Sequence, residues 1–303
     1  MQSLGNNRRA AIVGFFDGIH LGHRSLIEFV RSEADRRNLK PVAVTFTGCP
    51  REYLRPGSGP KLLSTATERL DGLRELLGTD GVVALDFNGD LASMTASEFM
   101  TMLRERYGVE LLVAGFNNRF GSDRDKTFDD YVAIGREIGL EVIKAPEYDG
   151  REGVSSSAIR KAVAEGRIAE AASMLGRNYS IAGTVATGRR VGRTIGFPTA
   201  NLQPADGRIL IPGGGVYAAW AETDGGKRYP AMVNVGTCPT VSTEGRQTIE
   251  ANLIGFDGDL YGRRLRLEFV AWLRGEKRFD SLDDLKTRLE TDRREALQRL
   301  SGA

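Results

Sequence analysis

The sequence predicts an α/β domain with a parallel sheet, followed by a small antiparallel all-β domain and a terminal helix. Three observations support this prediction. The chain of 303 residues is long enough for two domains of about 150 residues each. Its first half alternates short apolar runs with helical spacing, which is typical of a parallel sheet covered on both faces. Its second half changes to short strand-like runs between Gly- and Pro-rich turns, which are typical of a barrel or sandwich.

The elements of the first half follow from the spacing of apolar residues. Apolar side chains recur at helical spacing from Leu26 to Ala34, so residues 22–37 form a predicted amphipathic helix. Later helices contain residues 70–77, 99–103 and 131–138. The predicted strands are the apolar runs at 10–16, 41–46, 81–87, 111–116 and 141–145. Parallel sheets bind ligands at the carboxyl ends of their strands, where the motifs below also lie.

The second half begins with two helical segments within residues 155–176, after which the apolar period changes. Ser281 and Asp284 make a weak capping box for a final helix. The predicted strands are 180–187, 215–221, 228–235, 248–254 and 264–271. The change of period places the domain boundary between residues 178 and 179.

Composition excludes several classes of protein. Lys and Arg (42) exceed Asp and Glu (40) by only two, so neither nucleic acid nor an anionic membrane is an expected partner. The two cysteines, Cys49 and Cys238, form no disulfide framework, and a reducing cytoplasm fits them best. No apolar run reaches about 18 residues, so no transmembrane helix is expected. The polar N-terminus contains no secretory signal. Self-association stays open.

The first candidate site follows the first strand and opens a helix. The N–H groups and positive end of that helix suit a phosphate, and two histidines add donors there. The alternative is that both histidines are helix-capping or core residues. Because the chain has no other histidine, we favour the phosphate site over this alternative. The predicted ATP-binding residues are Gly14, Phe15, Asp17, Gly18, His20 and His23.

Two further polar segments also stand at element ends. One segment stands just before and at the start of a helix and contains Ser155, Ser156 and Arg160. The serines offer hydroxyl groups to a phosphate, and the arginine offers a planar cation. An ordinary serine N-cap with a solvated arginine is the alternative. Asn117 and Asn118, with Arg119, follow another strand and are candidates to contact a base or ring and a phosphate, or else form a polar turn.

The second domain contains a separate candidate site. A loop rich in glycine and cations, with Gly188, Gly192 and Gly196, suits a phosphate, although a glycine loop is more often a simple turn. Thr199 and Asn201 offer hard oxygen ligands for Mg²⁺. Glu250 lies in a strand-like run, where a carboxylate serves either as a general base or as a residue facing water. Together these residues predict a site for nucleotide phosphate and Mg²⁺ with one candidate general base.

Four segments occur in the order found in the bifunctional riboflavin kinase/FAD synthetase family. They are GFFDGIHLGH at 14–23, AGFNNRFG at 114–121, VSSSAIR at 154–160 and GRTIGFPTAN at 192–201. The chain resembles this family from about residue 10 to about residue 297. The resemblance implies a Rossmann-like nucleotidyltransferase domain over residues 1–178 and a riboflavin kinase β-barrel over residues 179–303.

The resemblance also implies two reactions. The barrel would phosphorylate riboflavin to FMN with ATP, with Thr199 and Asn201 binding Mg²⁺ and ATP and Glu250 accepting the hydroxyl proton. The first domain would adenylylate FMN to FAD with a second ATP. There, His20 and His23 would stabilise the attacked phosphate. The triphosphate would contact Ser155, Ser156 and Arg160, and the flavin would contact Asn117, Asn118 and Arg119.

The chain departs from the family pattern at two places. Gly48 and Cys49 replace the proline and histidine that commonly follow the second strand, and Asn252 stands where many members have histidine. Because cysteine is a weak hydrogen-bond donor, a riboflavin kinase with a weakened adenylyltransferase remains one alternative. The others are a nucleotidyltransferase for another phosphate ester and a non-catalytic flavin- or RNA-binding module.

Overall fold

The computed structural model describes residues 8–115, 119–123, 125–150, 153–187, 196–238 and 246–302. The chain forms two compact units. The first consists of Met1–Pro60 and Ala66–Val154, and the second of Lys61–Thr65 and Ser155–Ala303. A short segment from the first half of the sequence therefore belongs to the second unit.

The first unit is built on a sheet of five parallel strands in the order β3-β2-β1-β4-β5. The strands are β1 (Arg9–Val13), β2 (Lys40–Phe46), β3 (Val82–Leu85), β4 (Val109–Ala114) and β5 (Glu141–Lys144). Because β1 is central, the loop that follows it opens at the middle of the carboxyl edge. Ala10 and Ile12 of β1 are fully buried, which explains why this strand is a continuous apolar run.

Helices cover both faces of this sheet. They are α1 (Leu21–Arg37), α2 (Pro50–Leu54), α3 (Ala66–Leu77), α4 (Gly89–Ser93), α5 (Ala96–Tyr107) and α6 (Phe128–Ile138). Thr95 with Glu98 forms a capping box that begins α5. One face packs Ile12 and its neighbours against α1, and the other packs Val13 and its neighbours against Leu103 of α5. The sheet is therefore held rigid beneath its loops.

The second unit is a closed barrel of six strands in the order β10-β7-β6-β11-β8-β9. The strands are β6 (Tyr179–Ala186), β7 (Ala200–Pro204), β8 (Gly215–Thr223), β9 (Arg228–Cys238), β10 (Arg246–Leu253) and β11 (Arg264–Arg274). Val233, Val235, Ile249 and Ala251 are buried on one face of the β9–β10 pair. Closure leaves these strands without free edges.

Three helices accompany the barrel: α7 (Ser156–Ala164), α8 (Ile168–Leu175) and α9 (Leu282–Ser301). α8 packs against β6 and β11, and α9 packs against β8, β9 and β11. Asp292 of α9 is fully buried and forms ion pairs with Arg274 at the end of β11 and with Arg288. This network fixes the terminal helix to the barrel.

The predicted fold class is confirmed, with local differences. The first strand ends at Val13 rather than at residue 16, because the loop begins at Gly14. β7 was not among the predicted strands, since ANLQP is only five residues long and ends in proline. The first compact unit ends at Val154, and the second continues from Ser155. The predicted domain boundary after residue 178 stays a prediction.

Candidate functional sites

The β1–α1 loop is the first candidate site. The N–H of Gly14 donates to the carbonyl of Val44 at 3.0 Å, which ends the sheet pairing. Phe16 and Ile19 then adopt positive φ angles of 54° and 41°, and both side chains are buried. Left-handed backbone at non-glycine residues costs about 1–3 kcal/mol each and collects at functional sites. Packing of these two side chains holds the loop in its unusual conformation.

His20 and His23 meet at the start of α1. His20 is the N-cap residue, and its Nδ1 atom accepts the backbone N–H of His23 at 3.3 Å. The two imidazole rings stack with centroids 3.6 Å apart and planes 17° apart. A β-carbon at Gly22 would lie 3.3 Å from the ring of His20, so glycine leaves room for the stack. The predicted histidine pair is therefore assembled within one turn of chain.

The protonation of His23 is set by its surroundings. Burial lowers the pKa of His23 well below 6.5, and the charge of His20 lowers this pKa further. The Nδ1 atom of His23 is buried and has no hydrogen-bond partner among the described residues. The edge of Phe16 packs against the ring, with centroids 5.3 Å apart. His23 is thus neutral at pH 7 in the free protein.

The remaining residues of the predicted loop site are also in place. Gly18 has a φ of 80°, which a side chain would disfavour, and Asp17 is almost fully buried. The carbonyl of Phe15 accepts a hydrogen bond from Thr45 Oγ1 at 3.4 Å. The loop therefore has its backbone tied to the neighbouring strand.

The serine segment begins α7. Ser155 is the N-cap, and its hydroxyl accepts the N–H of Ala158 at 3.2 Å. The Nε of Arg160 donates to the carbonyl of Lys61 at 2.7 Å. Ser155, Ser156 and Arg160 belong to the second compact unit. Val154, the residue before this segment, lies in the first unit, 3.9 Å from a β-carbon built at Gly22.

A cavity of about 570 Å³ opens at the carboxyl edge of the parallel sheet. Five phenylalanines contribute to its wall. Phe46 ends β2 and Phe99 lies on α5, whereas Phe15, Phe87 and Phe120 lie in loops. Phe46 and Phe87 meet edge to face with centroids 5.4 Å apart. Apolar walls of this kind suit a planar aromatic ligand.

Of the predicted flavin contacts, Arg119 lines this cavity. Asn117 and Asn118 lie outside the described residues. The aromatic wall was not predicted from the sequence. The available signal was the recurrence of phenylalanine immediately after successive apolar strands, as at Phe46 and Phe87.

Cys49 stands next in sequence to a residue that lines this cavity. It is buried, it is a free thiol, and it is the N-cap of the short helix α2 without donating or accepting a capping hydrogen bond through its side chain. Its neighbour Pro50 lines the cavity. The residue that departs from the family pattern thus lies beside the wall of the cavity.

In the barrel, strand register brings the predicted polar residues together. Glu250 of β10 pairs with Asn201 of β7 on one side and with Asn234 of β9 on the other. Directly opposed residues have β-carbons about 4.5–5.5 Å apart on the same face. Ile249 and Ala251 face the opposite way and are buried. Asn234 was not predicted, because its position depends on pairing between distant segments.

Thr199 and Gly196 precede β7. Thr199 lines a cavity of about 210 Å³ together with Phe256 and Tyr261. Asn252 donates from Nδ2 to the carbonyl of Pro198 at 2.8 Å, which ties this segment to β10. Gly188 and Gly192 lie outside the described residues.

A second carboxylate lies over β9. A β-carbon at Gly236 would be 2.5 Å from Glu276 Oε1 and 3.3 Å from Asn234 Nδ2, so glycine leaves room for this position of the Glu276 side chain. The described residues contain no group of three or more His, Cys, Asp or Glu that could hold a metal ion by themselves. The barrel site therefore offers mainly neutral oxygen donors beside Glu250.

No helix among the described residues is long and apolar enough to cross a membrane.

Comparison with known proteins adds two family matches. The FAD synthetase family model matches residues 4–158, and the riboflavin kinase family model matches residues 175–300. Together they contain the loop site and the barrel site. The predicted resemblance is therefore confirmed.

Sequence relatives cover nearly the whole chain. A bifunctional riboflavin kinase/FMN adenylyltransferase from Pseudomonas fluorescens is 36% identical, over 93% of this chain and 90% of the relative. Proteins of the same description from Escherichia coli K12 and Bacillus subtilis 168 are 36% and 33% identical, over 92% and 96% of this chain and 89% and 92% of the relatives. A crystal structure described as a macrolide-efflux protein from Streptococcus pneumoniae has a TM-score of 0.85 and 33% identity, over 97% of this chain and 95% of that one.

Proposed function

The chain belongs to the bifunctional riboflavin kinase/FMN adenylyltransferase family, and from this premise we propose which residues carry each reaction. It phosphorylates riboflavin to FMN with one ATP and adenylylates FMN to FAD with a second ATP, releasing pyrophosphate. The observation that supports the assignment of residues is the presence of two separate polar sites, the histidine pair after β1 and the Asn201–Glu250–Asn234 row on the barrel.

For phosphorylation, we assign the general base to Glu250. Its carboxylate accepts the proton of the ribityl 5′-hydroxyl, and the hydroxyl oxygen attacks the γ-phosphorus of ATP while ADP leaves. Asn201 and Asn234, on either side of Glu250 in the sheet, are neutral and can hydrogen-bond substrate oxygens without adding charge. The cavity next to Thr199 is assigned to the nucleotide, with Gly188, Gly192 and Gly196 in the preceding segment.

Mg²⁺ is proposed as the metal of this site. Thr199 and Asn201 provide hard oxygen donors, and Mg²⁺ keeps several waters and shares phosphate oxygens, so it needs no cage of carboxylates. The residues present fit such an ion, which would neutralise phosphate charge. Chelation with EDTA is expected to abolish FMN formation, and added Mg²⁺ is expected to restore it; activity that survives chelation would refute this assignment.

For adenylylation, we assign phosphate stabilisation to the start of α1. An oxygen of the FMN phosphate attacks the α-phosphorus of ATP, and the bond to the leaving pyrophosphate breaks, so no covalent enzyme intermediate forms. The N–H groups of the α1 N-terminus, His20 and His23 lie where this charge would be stabilised. We assign Gly14, Phe15, Asp17 and Gly18 to the same nucleotide, with Phe15 contributing its backbone there and its ring to the aromatic cavity. Ser155, Ser156 and Arg160 are assigned to the triphosphate.

The flavin ring is assigned to the aromatic cavity of the first unit. Its volume of about 570 Å³ and its phenylalanine wall suit an isoalloxazine ring. Arg119 lies in this wall, and Asn117 and Asn118 are assigned as polar contacts from the adjoining segment. Catalysis then rests mainly on positioning of the two substrates.

The decisive experiment follows FMN and FAD by chromatography after adding riboflavin, ATP and Mg²⁺. Glu250→Gln is expected to slow FMN formation by about 10²–10⁴-fold, because a general base contributes roughly that much. FAD formation from supplied FMN should be unchanged in this variant. Glu222→Gln, on strand β8 of the same barrel, is the matched control and should keep both activities. Normal FMN formation by Glu250→Gln would refute its assignment.

The cytoplasm is the proposed compartment, because ATP is abundant there and the free thiol of Cys49 fits a reducing environment. Riboflavin, FMN and ATP are the expected partners. The net charge of +2 gives no reason to expect nucleic acid.

A further inference from the structure

Arg69 of α3 is a buried cation outside the two sites assigned above. Only 1% of its surface is exposed. Its guanidinium lies over the ring of Phe15, with 4.1 Å between Cζ and the ring centroid. This is close enough for a cation–π interaction, which strengthens when water is excluded.

The same guanidinium also holds the end of β2. Its Nη2 atom donates to the carbonyl of Phe46 at 2.8 Å and to the carbonyl of Thr47 at 3.4 Å. Hydrogen bonds from a charged donor are stronger than neutral ones. Arg69 therefore connects the loop after β1 with the loop after β2, through Phe15 on one side and Phe46 on the other.

Phe15 and Phe46 both line the aromatic cavity, whereas Arg69 does not. Arg69 therefore acts on a ligand in the cavity through the residues it contacts, Phe15 and Phe46 among them, and not by lining the cavity itself. A planar guanidinium can stack on a ring and donate in its own plane at the same time, which a lysine ammonium cannot do. This geometry fits a residue that fixes the relative position of two walls.

We propose that Arg69 is a positioning residue for the flavin ring during adenylylation, holding Phe15 and Phe46 in the arrangement that receives FMN. The proposal rests on the proposed assignment of the flavin to the aromatic cavity. It requires that loss of Arg69 weakens the use of FMN more than the use of ATP.

The test compares steady-state FAD formation by wild type, Arg69→Met and Arg69→Lys, varying FMN and ATP separately. Arg69→Met is expected to raise the KM for FMN about tenfold, because small displacements of a binding wall weaken a positioned substrate. The KM for ATP should stay within about twofold of wild type. The KM of Arg69→Lys for FMN should lie between the values of wild type and Arg69→Met, since lysine keeps the charge but loses the planar donor.

Arg74→Met is the matched control, because Arg74 lies on the same helix but is exposed and pairs with Asp71 at 3.0 Å. It should leave both KM values unchanged. The circular dichroism spectrum and the FAD formation that remains at saturating FMN report whether the first unit of each variant is folded. An unchanged KM for FMN in Arg69→Met, or an equal rise in both KM values, would overturn the proposal.

Phe15→Leu provides a second route if Arg69→Met does not fold. It removes the ring on which Arg69 stacks, and it is expected to raise the KM for FMN by a similar factor; an unchanged KM would overturn the proposal. FMN binding, measured by quenching of flavin fluorescence, separates this inference from the assigned activity. A wild type that binds FMN but forms no FAD refutes the assigned chemistry, whereas equal FMN affinity in wild type and Arg69→Met refutes the role of Arg69.

Discussion

The imidazole of His20 accepts the N–H of His23 through Nδ1, so the proton of its neutral form lies on Nε2. His23 stacks on this ring, and its own Nδ1 is buried. One histidine is thus fixed by a backbone hydrogen bond, and the other is fixed by packing. A bound polyphosphate would raise the pKa of His23, because opposite charge favours the protonated form of a nearby imidazole.

The lowered pKa of His23 predicts a pH-dependent stability. Burial makes native His23 bind a proton more weakly than the unfolded chain does, so the unfolded chain takes up the proton first as the pH falls through 6.5. The free energy of unfolding should therefore fall on acidification from about pH 7.5 to about pH 5.5, and less so in His23→Asn. Thermal unfolding at the two pH values measures this. An identical pH dependence in the variant would contradict the prediction.

Cys49 predicts a gain of activity. The family commonly has a histidine at this place, and a thiol is a much weaker donor and is usually neutral. We expect Cys49→His to increase the rate of FAD formation by roughly tenfold, while riboflavin phosphorylation stays constant. Cys49→Ser is the control for loss of the thiol alone. A rate of FAD formation below that of wild type would show that the cavity wall has adapted to cysteine.

At the scale of elements, the junction of β11 and α9 depends on one buried charge. Asp292 is fully buried, and Arg274 donates to both of its carboxylate oxygens at 2.7–3.0 Å. Arg288 lies 2.8 Å from the same carboxylate. The segment that carries Glu276 lies between β11 and α9, so this network also limits where Glu276 can lie.

Asp292→Ala is therefore expected to destabilise the barrel by about 3 kcal/mol, because removal of one partner leaves buried charge uncompensated. Both tryptophans of the chain, Trp220 and Trp272, lie in this unit, so denaturant unfolding followed by tryptophan fluorescence reports on it selectively. Glu290→Ala, at an exposed position of α9, should change stability by less than about 0.5 kcal/mol. Equal unfolding midpoints for the two variants would contradict this account.

At the scale of the whole molecule, two reactions that share an intermediate are carried by one chain, whose FAD synthetase match covers residues 4–158 and whose riboflavin kinase match covers residues 175–300. FMN is the product of one reaction and the substrate of the other. The two sites have no assigned residue in common, so each can be inactivated separately. The protein can therefore be tested as two enzymes that exchange FMN through solution.

Mixing Glu250→Gln with His23→Asn tests this independence. Either variant alone should form FAD from riboflavin only very slowly, because the first is slow to make FMN and the second is slow to convert it. The mixture should form FAD, since FMN released by one variant can bind to the other. Chromatography of the mixture over time measures this outcome. Accumulation of FMN without FAD in the mixture would mean that FMN must pass within one chain.

Much of the fold and of the loop site could be predicted from the sequence because the determinants are local. Consecutive residues from Gly14 to His23 specify a strand end, a loop and a helix start, so both histidines are placed by the chain around them. Apolar periodicity likewise specifies strands and helices within short windows. β7 was hard to recognise because ANLQP is only five residues long and ends in proline, so its alternation covers too short a window.

The tertiary structure alone decided which distant residues meet. Strand periodicity gives the face of a residue but not its partner strand, so the Asn201–Glu250–Asn234 row appeared only with the register of the closed barrel. The aromatic cavity likewise needs phenylalanines from several separate elements and loops, and the contact of Arg69 with Phe15 and Phe46 needs α3 packed beside them. The sequence by itself determined the chemistry and its local geometry; long-range packing decided the walls that position the substrates, because those contacts depend on how separate elements pair and pack.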